Sequence, residues 1–203
     1  MDVKIKQLRK KYFNKARKFA IEGMNLNWYT SNNLELYLYS KYFLYLEISK
    51  ATKSLGAYIN DELVGVLLVD MENQPKIFSS IWYKIFIKIS TFIINLGYKD
   101  ASSTYDIANI ELLKEFKKNN KIDGEISFFA VDPTIKGKGI GSLLLKELER
   151  QEKNKLIYLY TDSGSTYQFY LHRGFTQSGA KDVILEINNK NVPLTCFLFS
   201  RRL

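Results

Sequence analysis

The chain has 203 residues, 46% of them apolar and 14% aromatic; that is enough for one well-packed domain and excludes a disordered chain. A single cysteine, Cys196, excludes an internal disulfide framework, and the run Met1 to Lys6 lacks the apolar core of a signal peptide, so a reducing, cytoplasmic location is expected. The net charge of +9 is densest at Lys4, Lys6, Arg9, Lys10, Lys11, Lys15, Arg17 and Lys18, but no nucleic-acid motif accompanies it; a solvated helix face that helps attract a polyanion is expected, with no specific nucleic-acid partner.

Residues 7–24 predict a helix, with Leu8, Tyr12, Ala16, Phe19 and Ala20 at helical spacing and Gly23 near the stop. A second helix follows Ser31-Asn32-Asn33 and carries Leu34, Leu38, Tyr42, Tyr45 and Leu46. The period then changes. Leu55 to Ile59 and Leu63 to Val69 read as strands of an antiparallel hairpin turning at Asn60-Asp61-Glu62.

Residues 75–122 come next. Within them Ile77 to Leu96 is apolar enough to suggest a membrane span, but Lys84 and Lys88 near its middle would each cost about 2.5–3.5 kcal/mol there. Ser80, Lys84, Lys88, Thr91 and Asn95 fall on one narrow stripe, so a helix buried on most of its girth is expected, with no transmembrane segment. Ser103 to Asn119 reads as an amphipathic helix with Ile107, Ile110, Leu113 and Phe116 on one face. The block is open to three readings: a structural layer or homodimer face, a substrate lid, or a reversible membrane contact.

Glu125 to Val131 predicts a strand, followed by a helix with Ile140, Leu144, Leu145 and Leu148 on its buried side. Lys155 to Thr161 predicts a strand, Thr166 to His172 a short helix, and Val183 to Ile187 with Pro193 to Ser200 a closing hairpin about residues 188–191. No internal repeat or low-complexity linker interrupts the chain.

The most informative segment is Phe129 to Ser142, where an apolar strand runs into a glycine-rich turn that opens a leucine-rich helix. Gly137, Gly139 and Gly141 leave the main chain bare, so N–H groups can converge on a small volume at the positive end of a helix dipole. A pyrophosphate fits such a volume. No window supplies the GxxxxGK-Ser/Thr of a P-loop, and the alternating GxGxG, with Ser142 where a third glycine belongs, is not a dinucleotide fingerprint.

Lys136-Gly137-Lys138-Gly139-Ile140-Gly141, preceded by Val131-Asp132-Pro133, resembles motif A of the GNAT acetyltransferase superfamily, with Lys136 in place of the usual Gln or Arg. Phe169-Tyr170-Leu171-His172-Arg173-Gly174-Phe175 is similar to that family's motif B. The resemblance implies one α/β domain over 1–203 with a mixed, mostly antiparallel central sheet flanked by helices. Counted in the family's manner, residues 75–122 are then a helical insertion between the third and fourth strands. It also implies direct acetyl transfer from acetyl-CoA to a primary amine of an unidentified acceptor.

Residue roles follow from that resemblance. An ammonium has no lone pair, so a base must accept its proton; Glu125, at the start of a strand resembling the histone-acetyltransferase branch, is the candidate, acting directly or through water. Tyr170 is the candidate acid for the departing thiolate, with Tyr167 one turn away as a substitute. Phe129, Ala130 and Val131 would offer main-chain groups to the pantetheine arm, and Lys136 through Ser142 would hold the pyrophosphate, Lys138 adding charge. Ser163 stands where many relatives have an asparagine that touches the pantetheine. His172 is expected on the outside of its helix, Cys196 in the core, and no metal site is expected.

Overall fold

The computed structural model describes residues 2–97, 101–135, 137–187 and 190–203. Its strands are β1 (Lys4–Gln7), β2 (Lys53–Ile59), β3 (Glu62–Met71), β4 (Gly124–Val131), β5 (Leu156–Asp162), β6 (Thr176–Ile187) and β7 (Lys190–Arg202). They form a 7-stranded sheet in the order β1-β2-β3-β4-β5-β7-β6. Among the described residues the neighbours are antiparallel except β4 and β5, which run parallel because α5 (Ile140–Gln151) carries the chain back across one face. The other helices are α1 (Phe13–Gly23), α2 (Asn33–Lys50), α3 (Ile81–Gly97), α4 (Ala101–Lys117) and the short α6 (Gln168–Leu171).

Local chemistry sets several boundaries. At the β2–β3 turn Asn60 and Asp61 both take positive φ, 48° and 61°, which short polar side chains tolerate and which matches the twist of a hairpin. The Asn32 side chain accepts the Glu35 N–H at 2.9 Å, while the Glu35 carboxylate accepts the Ser31 N–H at 2.6 Å, a reciprocal cap that starts α2.

Alternation along the strands sorts the core onto two faces. Ile157, Leu159, Phe197 and Phe199 meet Ile140, Leu144, Leu145 and Leu148 of α5, as the sequence predicts for that helix. Their neighbours Tyr158 and Leu198 point the other way, toward Ile122 and α4. On that second face α1 and α2 bury Phe13, Ala16, Phe19, Leu44 and Ile48 against Val66, Leu68 and Phe128. A register shift at Leu68–Val69 lets Ile126 join the α5 face although Phe128, two residues on, joins the opposite one.

Several expectations change. The helix expected from residue 7 starts at Phe13: Lys4–Gln7 is an edge strand on β2, and Lys10–Tyr12 is a single tight turn. The closing hairpin is longer than expected, because β7 offers β6 a full-length partner and holds the polar run Thr176 to Asp182 as strand. Residues 188 and 189 of its expected turn lie outside the described residues. In α2 the inward stripe is Leu44, Glu47 and Ile48, whereas Leu34 and Leu38 face solvent.

Residues 75–122 do form two helices between β3 and β4, but neither presents the expected face. α4 lies on β6 and β7 through Tyr105, Ala108 and Leu112, with Leu113 and Phe116 also inward, while Ile107 and Ile110 are exposed. Small residues decide this rotation: Ala108 is buried, and a Cβ at Gly179 would lie 2.9 Å from Leu112, so the helix approaches where side chains are least bulky. α3 is not buried around its girth. It rests on α2, with the Tyr45 and Tyr83 ring centroids 4.6 Å apart and the Thr91 hydroxyl 3.3 Å from that of Tyr42. Ile81, Trp82, Ile85, Ile89, Phe92 and Ile93 stay exposed. Among the described residues no helix is long and apolar enough to cross a membrane.

Candidate active site

The two parallel strands part almost as soon as they meet. Only Gly124 with Ile157 and Glu125 with Tyr158 are paired, so from Ile126 onward β4 keeps β3 on one edge and shows its other edge to no strand. Main-chain groups of Phe129 to Val131 on that side are available to an extended ligand. Glu125 sits at the vertex of the opening.

At the far end of β4 the chain turns sharply. The Asp132 carboxylate accepts from the Thr134 N–H at 3.0 Å and from its hydroxyl at 2.6 Å, which fixes the turn before Gly137. Gly137 and Gly139 take φ of 81° and 73°, and a Cβ on either would meet open space. These two glycines therefore supply the left-handed backbone and leave open space in front of α5. The first N–H groups of that helix, from Ile140 to Ser142, have no intrahelical acceptor. Bare amides, a helix N-terminus and open space fit a diphosphate. Lys138 is exposed beside them, while Lys136 lies outside the described residues.

Gly141 answers to a different need. A Cβ there would lie 3.0 Å from the Phe169 ring and 3.3 Å from that of Phe129, so its absence lets α5 press against β4 and α6. The Ile140 side chain is likewise buried, leaving only its main chain for a ligand.

Tyr170 leaves α6 into the α5 face. Its ring lies 5.3 Å from Phe169, 5.7 Å from Phe175 and 6.2 Å from Phe129 and from Phe199, centroid to centroid. Burial pushes its phenol well above the ordinary tyrosine range. Tyr167 packs nearby on Phe197 at 4.9 Å.

Glu125 stands on the opposite face. The Tyr158 hydroxyl donates to its Oε2 at 2.9 Å. Burial raises the Glu125 pKa; Asp70 adds to the rise, while the Tyr158 hydrogen bond, Lys50 and Lys117 oppose it. Glu47 of α2 faces the same space. Burial and the charge of Glu125 raise its pKa, against the pull of Lys50 at 3.5 Å and the Ser127 hydroxyl. The phenols of Tyr158 and Tyr160, 5.4 Å apart, are raised by burial and then by the Glu125 charge.

Glu47, Lys50, Tyr158, Tyr160 and Arg173 are the neighbours that the sequence reading passed over. Arg173 lay inside the segment used to find Tyr170; its Nε donates to the Ser142 hydroxyl at 2.7 Å, which brings a cation to the start of α5. The alternation of Tyr158 with Tyr160 puts both on one face of a strand. For Glu47 the signal is an acid at helical spacing between the apolar Leu44 and Ile48, on the inward stripe of α2.

Ser163 stands elsewhere. Its hydroxyl accepts the Thr195 N–H at 3.0 Å and lines a hollow with Asp182 and Ile184 on the β6–β7 side. His172 is exposed at the end of α6. Cys196 is fully buried, and burial, with the Asp162 charge, pushes its thiol up to about 11. Among the described residues no group of three His, Cys, Asp or Glu side chains could hold a metal ion.

The family model described as Acetyltransferase (GNAT) domain matches residues 106–177, which span α4 through the start of β6 and include both glycine turns. Solved structures share the fold over nearly the whole chain. A histone acetyltransferase HPA2 and related acetyltransferase from Corynebacterium glutamicum is 17% identical, with a TM-score of 0.59 over 98% of this chain and 96% of its own. A polyamine N-acetyltransferase from Drosophila melanogaster is 13% identical, with a TM-score of 0.60 over 100% of both chains. NAA60 from Arabidopsis thaliana, solved with a bisubstrate analogue, is 11% identical, with a TM-score of 0.58 over 98% of this chain and 97% of its own. None of the curated proteins matches the chain.

Proposed function

We propose a direct transfer: this chain belongs to the GNAT superfamily of acetyl-CoA-dependent N-acetyltransferases, and the groups around the β4–β5 opening move acetyl to a primary amine without an acyl-enzyme. Acetyl-CoA supplies the activated acyl group as a thioester. The main-chain N–H groups from Gly137 to Ser142 hold its diphosphate, with Lys136, Lys138 and Arg173 adding positive charge. The free edge of β4 at Phe129, Ala130 and Val131 binds the pantetheine arm as a neighbouring strand would.

Glu125 takes the proton from the incoming ammonium, directly or through one water, and so frees the lone pair that attacks the thioester carbonyl. The Tyr158 hydroxyl holds the Glu125 carboxylate in place. Tyr170 keeps its proton until the C–S bond breaks, then gives it to the departing sulfur; the second proton, released from the nitrogen as the amide forms, returns to the Tyr170 phenolate, leaving an amide and a free thiol. A base raised by burial and an acid kept neutral by burial suit these two tasks. The Glu125 carboxylate puts a negative charge on the acceptor side, which favours a cationic amine. The structurally similar Drosophila melanogaster polyamine N-acetyltransferase catalyses the formation of N-acetylagmatine.

The observation that carries this reading is the parting of β4 from β5 at Glu125–Tyr158, with the glycine turn at the other end of the same exposed edge. It is tested by screening an amine library with acetyl-CoA and reading free thiol, with Glu125→Gln and Tyr170→Phe alongside. Loss of turnover in Glu125→Gln with CoA uptake retained in calorimetry is the expected result. Parental turnover in both variants would remove the roles given to them, and absence of CoA uptake by the parent would remove the transferase reading itself.

A further inference from the structure

α3 carries a run of large apolar residues on the side turned away from α2. At about 100° per residue, Ile81, Trp82, Ile85, Ile89, Phe92 and Ile93 share an arc of roughly 120°. Their exposure runs from 43% at Ile85 to 74% at Trp82. The opposite side of the helix, with Tyr83, Phe86 and Thr91, is the one that rests on α2. A contiguous apolar ridge of this kind on a folded protein marks an interaction surface.

The margins of the ridge are cationic. Lys84 and Lys88 run along one side, both exposed. On the other, beyond Phe86, the Lys41 ammonium sits 5.2 Å from the Phe86 ring centroid. Lys41 also lines, with Lys10, Lys11 and Arg17, a hollow of about 210 Å³ that reaches Tyr83. No acidic residue occurs in Ile81–Gly97.

We propose that α3 is an interfacial anchor that lays this ridge on an anionic lipid bilayer, with Lys84, Lys88 and Lys41 meeting lipid phosphates along its margins. The inference goes beyond acetyl transfer and does not depend on it. Charge selects the occupant: a second copy presenting the same ridge would set these lysines against like charges, with no carboxylate on α3 to answer them, whereas an anionic surface is complementary. Shape agrees. The helix has an apolar outer arc and cationic flanks, it is too short and too charged to span, and Trp82 near its start is a side chain suited to the water–lipid boundary.

The test is flotation of the full chain with vesicles of phosphatidylcholine alone and with a third of that lipid replaced by phosphatidylserine. The protein should float with the anionic vesicles, stay behind with the neutral ones and be released by high salt. In a Trp28→Phe background, Trp82 emission should shift to the blue when anionic vesicles are added. Ile85→Glu/Ile89→Glu, at exposed positions that leave the fold and CoA uptake intact, should weaken partitioning by about tenfold or more. Lys84→Glu/Lys88→Glu should weaken it by a similar factor and flatten its salt dependence. The proposal is overturned by a parent that does not float with anionic vesicles, or by flotation unchanged in the isoleucine double variant. It is equally overturned by a dimer in sedimentation that Ile85→Glu/Ile89→Glu dissociates and anionic vesicles do not.

Discussion

The two faces of the sheet at the β4–β5 opening are built from opposite materials. On the α5 side Tyr170 is enclosed by Phe129, Phe169, Phe175 and Phe199, and the cation that meets this aromatic cluster, the Arg173 guanidinium, lies over the Phe169 ring, 5.5 Å from its centroid. On the α2 side Glu125 shares its space with Glu47, Lys50, Tyr158 and Tyr160. Burial acts on both, but with different results: the dry face keeps a phenol protonated, and the polar face keeps a carboxylate available while raising its affinity for a proton. One sheet thereby holds a phenol and a carboxylate apart in two dielectric environments.

Glu125→Gln is the harshest way to break this contrast, since it removes the basic group and keeps the shape; kcat should fall by about 10²–10⁴-fold. Steady-state kinetics and calorimetry on the same preparation check that the loss lies in chemistry and not in cofactor uptake. Tyr170→Phe removes only a proton donor from a ring that stays packed, so kcat should fall by about tenfold to a hundredfold with KM for acetyl-CoA nearly unchanged.

Gly141→Ala attacks the join between the cradle and the dry face. Its new methyl would press on the rings of Phe169 and Phe129, at a cost of about 1–3 kcal/mol read from urea midpoints. Gly137→Ala and Gly139→Ala meet open space and should cost only backbone strain, about 1 kcal/mol each. Equal losses at the three positions would contradict the separate role given to Gly141.

The smallest effects sharpen the polar face. In the proposed reaction Glu125 acts deprotonated, so the acid limb of kcat/KM should lie above the ordinary glutamate range; Asp70→Asn, which removes a charge that raises the Glu125 pKa, should move that limb to lower pH. For stability the sign runs the other way. Glu47, with its folded pKa raised, holds a proton that the unfolded chain releases, so stability falls as pH rises from the ordinary glutamate value through the raised one. Glu47→Gln should therefore gain on the parent as the pH rises above the ordinary glutamate range, as paired urea titrations would show.

Much of the α5 side was legible in the sequence because its rules are local. Glycine at positive φ, a turn fixed by Asp132, an apolar stripe on one helix and a ring-rich segment closing at Gly174-Phe175 are each visible within a few residues. The polar face was not, because it is assembled from α2, β3, β4 and β5, and nothing near Glu47 in the chain says that it meets Glu125. The insertion shows the same limit differently. Periodicity found α3 and its polar stripe, but a stripe does not say which side a neighbour covers, and α2 covers only the line through Tyr83, Phe86 and Thr91. In α4 Ile107 and Ile110 outweigh Ala108 on any hydropathy scale, yet the smaller side chain faces the sheet because close approach matters more there.

Cys196 carries a practical consequence. The chain has no other thiol, and this one is sealed beneath α4 with its ionisation pushed up to about 11, so a chromogenic disulfide reagent at neutral pH has almost nothing in the native protein to consume. Colour in the acceptor screen then reports liberated coenzyme alone. A cysteine engineered at position 82 would be the one reactive handle on the molecule, ready for a fluorophore or spin label.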